Sequence, residues 1–112
     1  MSVFKRSPVG LGALLLWSTC VFAADTEYTI VIKDHQFEPK ELSIPAGQKL
    51  KIWIDNQDKT AEEFESYELN REKVIAGGKK AAIFIGPLRP GSYKYYGEFH
   101  QDTAQGRILA SQ

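Results

Sequence analysis

Carboxylates and one imidazole lie close together in two short segments of this 112-residue chain. They are Glu62, Glu63 and Glu65 in the first segment and Glu98, His100 and Asp102 in the second. Carboxylate combined with imidazole suits iron, manganese or copper(II). The chain has no recognisable nucleophile with a base, no phosphate-binding loop and no CxxC motif. These side chains are therefore candidate metal ligands.

Alternation along the first segment decides which carboxylates can act together. Glu63 and Glu65 are two residues apart and point to one face of a strand, whereas Glu62 and Phe64 point to the other. Phe64 is then a core residue. Two like charges on one face repel, and a cation between them would relieve the repulsion. The alternative is that Glu63 and Glu65 form the solvated face of a sheet.

The first residues of the chain have the pattern of an export signal. Lys5 and Arg6 precede an apolar run that ends at Trp17, and small residues lead to Ala23. This pattern predicts a secretory signal peptide, residues 1–23, that is cleaved after Ala23. The apolar run is too short to span a bilayer.

The remaining residues, 24–112, are expected to form one exported domain of 89 residues. This domain has 12 basic and 14 acidic side chains and no Lys/Arg cluster, which argues against a nucleic-acid partner. The single cysteine, Cys20, lies in the signal peptide, so no disulfide is expected. The domain must therefore be stabilised by its apolar core.

Short runs of alternating β-branched and aromatic residues, separated by Gly and Pro turns, continue along this domain. The predicted strands cover 28–33, 42–44, 49–55, 62–67, 81–85, 93–96 and 107–110. Residues 67–73 have some helical character but are too few for more than a turn or two. We expect an all-β, antiparallel Greek-key sandwich of seven to eight strands.

Four sequence features resemble the cupredoxin family, and together they cover essentially the whole domain. In chain order they are Phe37-x-Pro39, Ile44-Pro-Ala-Gly47, Asn56 at a strand end, and Pro90-Gly-Ser-Tyr-Lys-Tyr95 leading to His100 and Gly106. The resemblance implies a cupredoxin-like sandwich with a metal site at the loop that contains His100.

That resemblance also shows which blue-copper ligands are missing. It puts His100 on the family's second His, Gly97 on its Cys, Ala104 on its Met, and the first His at or beside Glu63. A one-residue slip would exchange Glu63 for Glu62, so the choice between them stays open. Type-1 blue copper depends on a copper–thiolate bond. We therefore expect no type-1 blue copper here.

A narrower resemblance points to iron uptake. The segments that carry it are Glu63-Phe-Glu-Ser66, Leu69-Asn-Arg-Glu-Lys73, Ile85-Gly-Pro-Leu88, Pro90-Gly91 and Glu98-Phe-His100. They look like the EfeO-type cupredoxin-like domains associated with bacterial high-affinity iron uptake. This resemblance implies a periplasmic protein that binds iron, or copper as the alternative, and works with an inner-membrane iron permease and other periplasmic uptake components.

The predicted metal ligands are Glu63, His100, Glu65 and Glu98. His35 precedes the second strand by several residues and is expected to be structural, with ligation from the first hairpin as the alternative. The resemblance implies that Arg71 or Glu72 positions the site carboxylates.

Three functions are compatible with these residues. The first is binding and transfer of iron, with Fe(II) oxidation as a variant that needs an electron acceptor the sequence does not supply. The second is a copper(II)-binding chaperone or electron-transfer subunit, because copper(II) has the highest affinity among the divalent metals. The third is an interaction domain that binds no metal.

Overall fold

The computed structural model describes residues 27–112. The predicted signal peptide, its cleavage site and Cys20 lie outside the described residues. Among the residues that are described, no helix is long and apolar enough to cross a membrane.

Nine strands and one short 3-10 helix make up the described chain. They are β1 (Glu27–Lys33), β2 (Gln36–Glu38), β3 (Glu41–Pro45), β4 (Leu50–Asn56), β5 (Glu62–Ser66), β6 (Arg71–Ile75), β7 (Lys80–Ile85), β8 (Gly91–Gly97), the 3-10 helix (Glu98–His100) and β9 (Gln105–Ser111). The strands form two sheets, in the orders β2-β1-β4-β7 and β3-β9-β8-β5-β6. The predicted all-β sandwich is confirmed, with nine strands in place of seven or eight.

The two sheets are mixed rather than purely antiparallel. β1 pairs with β4 in parallel, and β3 pairs with β9 in parallel. The remaining pairs are antiparallel. The antiparallel prediction was wrong for these two pairs, because parallel partners are separated by long connections and their pairing leaves no mark on local alternation.

The segment predicted to have helical character forms a turn and a strand. A turn covers residues 67–70, in which Asn70 has a φ of 55°. Asn tolerates this left-handed conformation better than most residues, and the conformation interrupts a right-handed helix. β6 follows and pairs with β5, Phe64 opposite Lys73. Pairing with the preceding strand therefore overrides a weak local helical tendency.

The core lies between the two sheets and contains a cluster of three aromatic rings. The rings of Phe37 and Tyr95 meet edge to face with centroids 5.0 Å apart, and Phe64 stacks on Tyr95 at 4.9 Å. All three side chains are buried, as alternation predicted for Phe64. Since Phe64 is two residues from Glu62 on the same face of β5, the cluster supports the strand end that carries Glu62.

The hydroxyl group of Tyr95 is buried without a hydrogen-bond partner in the described chain. Burial raises the pKa of this phenol. Replacing Tyr95 with Phe removes an unsatisfied polar group, so we expect the free energy of unfolding to change by less than about 1 kcal/mol or to increase. Tyr95→Ala, the control, should lower it by about 3–5 kcal/mol. Urea unfolding measures both, and a loss above about 2 kcal/mol in Tyr95→Phe would show that the hydroxyl makes a stabilising bond.

Candidate metal centre

Glu62 is a buried carboxylate at the first position of β5, and its side chain is 1% exposed. Its Oε1 accepts hydrogen bonds from the backbone N–H groups of Phe99 and Glu63, both at 2.9 Å. His100 Nδ1 donates to its Oε2 at 2.7 Å. A buried charge is costly unless it is paired and hydrogen-bonded. These three bonds satisfy both oxygens and so allow a carboxylate at this depth.

Gly97 makes room for this carboxylate. A Cβ atom built on Gly97 would lie 2.5 Å from Glu62 Oε2 and 2.7 Å from the Cβ of Ala104. Only glycine therefore permits the approach of Glu62. β8 ends at Gly97, and the 3-10 helix that follows carries His100 to the start of β5. One point of the fold is consequently surrounded by four residues, Glu62, Gly97, His100 and Ala104.

This convergence bears on the position that the sequence left open. The resemblance placed the first ligand at or beside Glu63, and the residue that contacts His100 is Glu62, one position earlier. Glu63 points to the opposite face of β5. With Glu62 as the first, the four positions that the resemblance aligns with the blue-copper ligands hold a carboxylate, an imidazole and two residues without a donor side chain.

The donor groups at this point do not fit thiolate-bound copper, because Gly97 and Ala104 offer neither a thiolate nor a thioether. They fit an ion that accepts oxygen and nitrogen. Glu62 Oε2 and His100 Nδ1 could both bind it, since adjacent donors on one ion are about 3 Å apart, close to the observed separation. Alternatively, Glu62 orients the ring of His100, and His100 binds the ion through Nε2.

His35 is part of the same cluster. Its ring stacks on the ring of His100, with centroids 3.7 Å apart and planes 12° apart. Asp58 accepts hydrogen bonds from the backbone N–H groups of Asp34 at 2.8 Å and His35 at 2.9 Å. Desolvation acts to raise the pKa of Asp58. The hydrogen bonds from the backbone N–H groups of His35 and Asp34 outweigh it and lower this pKa below its usual value. No local pattern signals this approach of His35, since it depends on how the β1–β2 turn meets the 3-10 helix.

A second group of carboxylates lies on the outer face of the five-stranded sheet. Oxygens of Glu63, Glu65 and Glu72 lie within 4.8 Å of one another. Glu72 is directly opposite Glu65 on the neighbouring strand β6. Partial desolvation is the largest cause that raises the pKa values of Glu63 and Glu65, and the charge of Glu72 is the second. The charge of Glu98 raises both pKa values further.

The four predicted ligands thus divide between two faces. Glu63 and Glu65 belong to the outer acidic group, and the charge of Glu98 acts on both of them. His100 instead contacts Glu62 on the inner side of β5. Metal ligation by each of the four stays a prediction. Glu72 was expected only to position other carboxylates, and the structure places it inside the acidic group because β6 pairs with β5.

Glu72→Gln tests the origin of the raised carboxyl pKa values. Removing this charge should lower the pKa of Glu63 and of Glu65 towards the ordinary value, which NMR titration of the side-chain carboxyl carbons would measure. Because a raised pKa in the folded state means that stability is lost as pH rises through that pKa, the variant should also lose less stability on going from acid to neutral pH. Glu41→Gln, on the distant strand β3, is the matched control. Unchanged pKa values in Glu72→Gln would contradict the coupling.

The fold defines a cupredoxin-like protein, and the end of β8 with the loop after it holds Gly97, His100 and Ala104. The chain belongs to the cupredoxin-like domain family, whose sequence model matches residues 9–110. It is 46% identical over 85 residues to the uncharacterized protein RP394 of Rickettsia prowazekii (strain Madrid E), covering 76% of this chain and 68% of that protein.

Solved cupredoxins have the same fold at low sequence identity. Auracyanin A, a "blue" copper protein from Chloroflexus aurantiacus, matches with a TM-score of 0.66 and 14% identity over 76% of this chain and 98% of its own. Amicyanin from Paracoccus versutus matches with a TM-score of 0.61 and 16% identity, over 80% of this chain and 85% of its own. A purple cupredoxin from Nitrosopumilus maritimus matches with a TM-score of 0.57 and 21% identity, over 74% of this chain and 98% of its own. This fold is consistent with metal binding or electron transfer.

Proposed function

We propose that this protein is a periplasmic, metal-binding cupredoxin that binds iron and passes it to an inner-membrane iron permease. The observation that carries the proposal is the hydrogen bond between the buried carboxylate of Glu62 and the imidazole of His100, at the point where the family has its metal ligands. The ring of His100 is 26% exposed, so an ion from solution can reach it.

The chemistry of the donors favours iron as the cargo. Carboxylate and imidazole bind iron or copper(II), and the loss of thiolate and thioether removes the preference for copper(I). The EfeO-type resemblance supports iron over copper and supplies the permease and other uptake components as partners. Binding and transfer are proposed rather than Fe(II) oxidation, because oxidation requires an electron acceptor.

The outer acidic group gives the proposal a second element. Glu63, Glu65 and Glu98 were predicted ligands, and their mutual repulsion would be relieved by a bound cation. Carboxylates of one sign on one surface also raise the local concentration of cations. We assign them the capture of ions near the centre that contains His100.

Copper(II) is the second candidate cargo, for a chaperone or electron-transfer subunit. The observation in its favour is that auracyanin A, which has the same fold, is a copper protein. Copper(II) also binds nitrogen and oxygen donors more tightly than other divalent ions do. Metal titration separates the two cargoes directly.

Calorimetric titration of the exported protein with Fe(II) under anaerobic conditions, and with Fe(III) and Cu(II), tests the proposal. We expect binding that weakens tenfold or more in His100→Ala, which corresponds to about 1.4 kcal/mol. The control Glu41→Gln should bind like the wild type, and thermal unfolding should show that each variant is folded. In cells, His100→Ala should also reduce iron uptake under iron limitation.

Three results would contradict the proposal. The absence of binding for any of the three metals would favour an interaction domain. Equal affinity in His100→Ala, together with loss of binding in the combined Glu63→Gln and Glu65→Gln variant, would move the site to the outer face. Tight binding of Cu(II) with no binding of iron would favour the copper function.

A further inference from the structure

The two histidines of the chain come from distant segments and lie face to face. His35 is in the turn between β1 and β2, and His100 ends the 3-10 helix. The ring centroids are 3.7 Å apart, so both imidazoles are within reach of one metal ion. Because an ion lies in the plane of the imidazole that binds it, the two nearly parallel rings must turn out of their stack to bring one nitrogen of each to a common ion.

Each ring turns its Nδ1 towards a carboxylate that is less exposed than the ring itself. His100 Nδ1 is 2.7 Å from Glu62 Oε2, where the side chains are 26% and 1% exposed. His35 Nδ1 is 3.4 Å from Asp58 Oδ2, where they are 44% and 14% exposed. Because Nε2 lies on a different edge of the imidazole from Nδ1, this arrangement directs the Nε2 atoms away from the carboxylates.

A histidine that donates its second N–H to a carboxylate is typical of metal ligands. The carboxylate fixes the tautomer and the orientation of the ring and increases the basicity of the free nitrogen. His100 makes this bond to Glu62, and Nδ1 of His35 lies 3.4 Å from Asp58 Oδ2. Each imidazole therefore has a carboxylate beside its Nδ1.

The backbone around His35 is held in an uncommon conformation. Asp34 and His35 have φ angles of 54° and 59°, which non-glycine residues seldom adopt. Hydrogen bonds from their backbone N–H groups to Asp58 hold both residues in this conformation. The hydroxyl of Thr103 donates to the carbonyl oxygen of His35 at 2.6 Å. Thr103 lies three residues after His100, so the turn is attached to the loop that carries the other ring.

From this geometry we propose that His35 is the second imidazole ligand of the metal ion bound by His100. Both rings bind through Nε2, and Asp58 and Glu62 are positioning residues that hold the rings through Nδ1. The ion is of the class that accepts paired imidazoles, such as Fe(II) or Cu(II). This inference rests on the proposed function, since it adds a ligand to the same centre.

Electron paramagnetic resonance of the Cu(II)-loaded protein, with electron spin-echo modulation, counts the bound imidazoles. We expect two in the wild type and one in His35→Phe, a variant that keeps a ring for stacking but has no nitrogen donor. The affinity for Cu(II) should fall tenfold or more in the same variant. One imidazole in the wild type, or an unchanged spectrum in His35→Phe, would overturn the inference.

The proposed function and this inference fail in distinguishable ways. No metal binding by the wild type contradicts both. Binding that is lost in His100→Ala, with one bound imidazole and no effect of His35→Phe, leaves the proposed function in place and contradicts only the role of His35.

Asp58→Asn tests the positioning role separately. We expect the affinity for Cu(II) to fall about 10- to 100-fold while two imidazoles stay bound. Asp55→Asn, an exchange of the same type on β4, is the control and should leave affinity unchanged. A lower unfolding temperature in Asp58→Asn with unaltered Cu(II) affinity would show that Asp58 only stabilises the turn, and would contradict its positioning role.

Discussion

The burial of the Glu62 carboxylate is the constraint on which the rest of the site depends. Removing a charged group from water costs several kcal/mol unless its bonds are replaced. Phe99, Glu63 and His100 supply these bonds, so the start of β5 and the 3-10 helix are held together. The same carboxylate requires the absence of a side chain at Gly97. One buried oxygen atom thus determines the identity of Gly97 and the orientation of His100.

The candidate centre lacks the thiolate of a type-1 blue-copper site, although the chain has a cupredoxin-like sandwich. Auracyanin A and the purple cupredoxin have this fold with only 14% and 21% identity to this chain. A fold of this kind supports different sites through changes at a few loop positions. Here Gly97 and Ala104 leave a carboxylate and an imidazole as the donors. The donor atoms, and not the fold, therefore decide which ions the proposed centre can bind.

Much of the fold could be predicted because alternation reports which residues face the core. It placed Phe64 inside, and the structure confirms this. β2 was missed because three residues are too few to show a period. β6 was missed because most of its side chains are exposed and charged, so it has no apolar face. Parallel pairing depends on contacts between segments distant in sequence, which local patterns do not contain.

The candidate site was harder to predict for two physical reasons. A slip of one residue in β5 exchanges its faces, so the sequence did not separate Glu62 from Glu63. The contact of His35 with His100 depends on how two turns meet, and the position of Glu72 opposite Glu65 depends on strand pairing. Neither follows from spacing along the sequence. His100, by contrast, was predicted from its alignment with the second His of the cupredoxin loop, and it is the residue on which the proposed centre is built.

Anomalous diffraction from crystals of the protein soaked with Fe(II) or Cu(II), collected at the metal edge, tests the central claim most directly. The account predicts a strong peak at the exposed edge of the His100 ring, within about 2.2 Å of a ring nitrogen. A peak only among Glu63, Glu65 and Glu72, with none at His100, would contradict it.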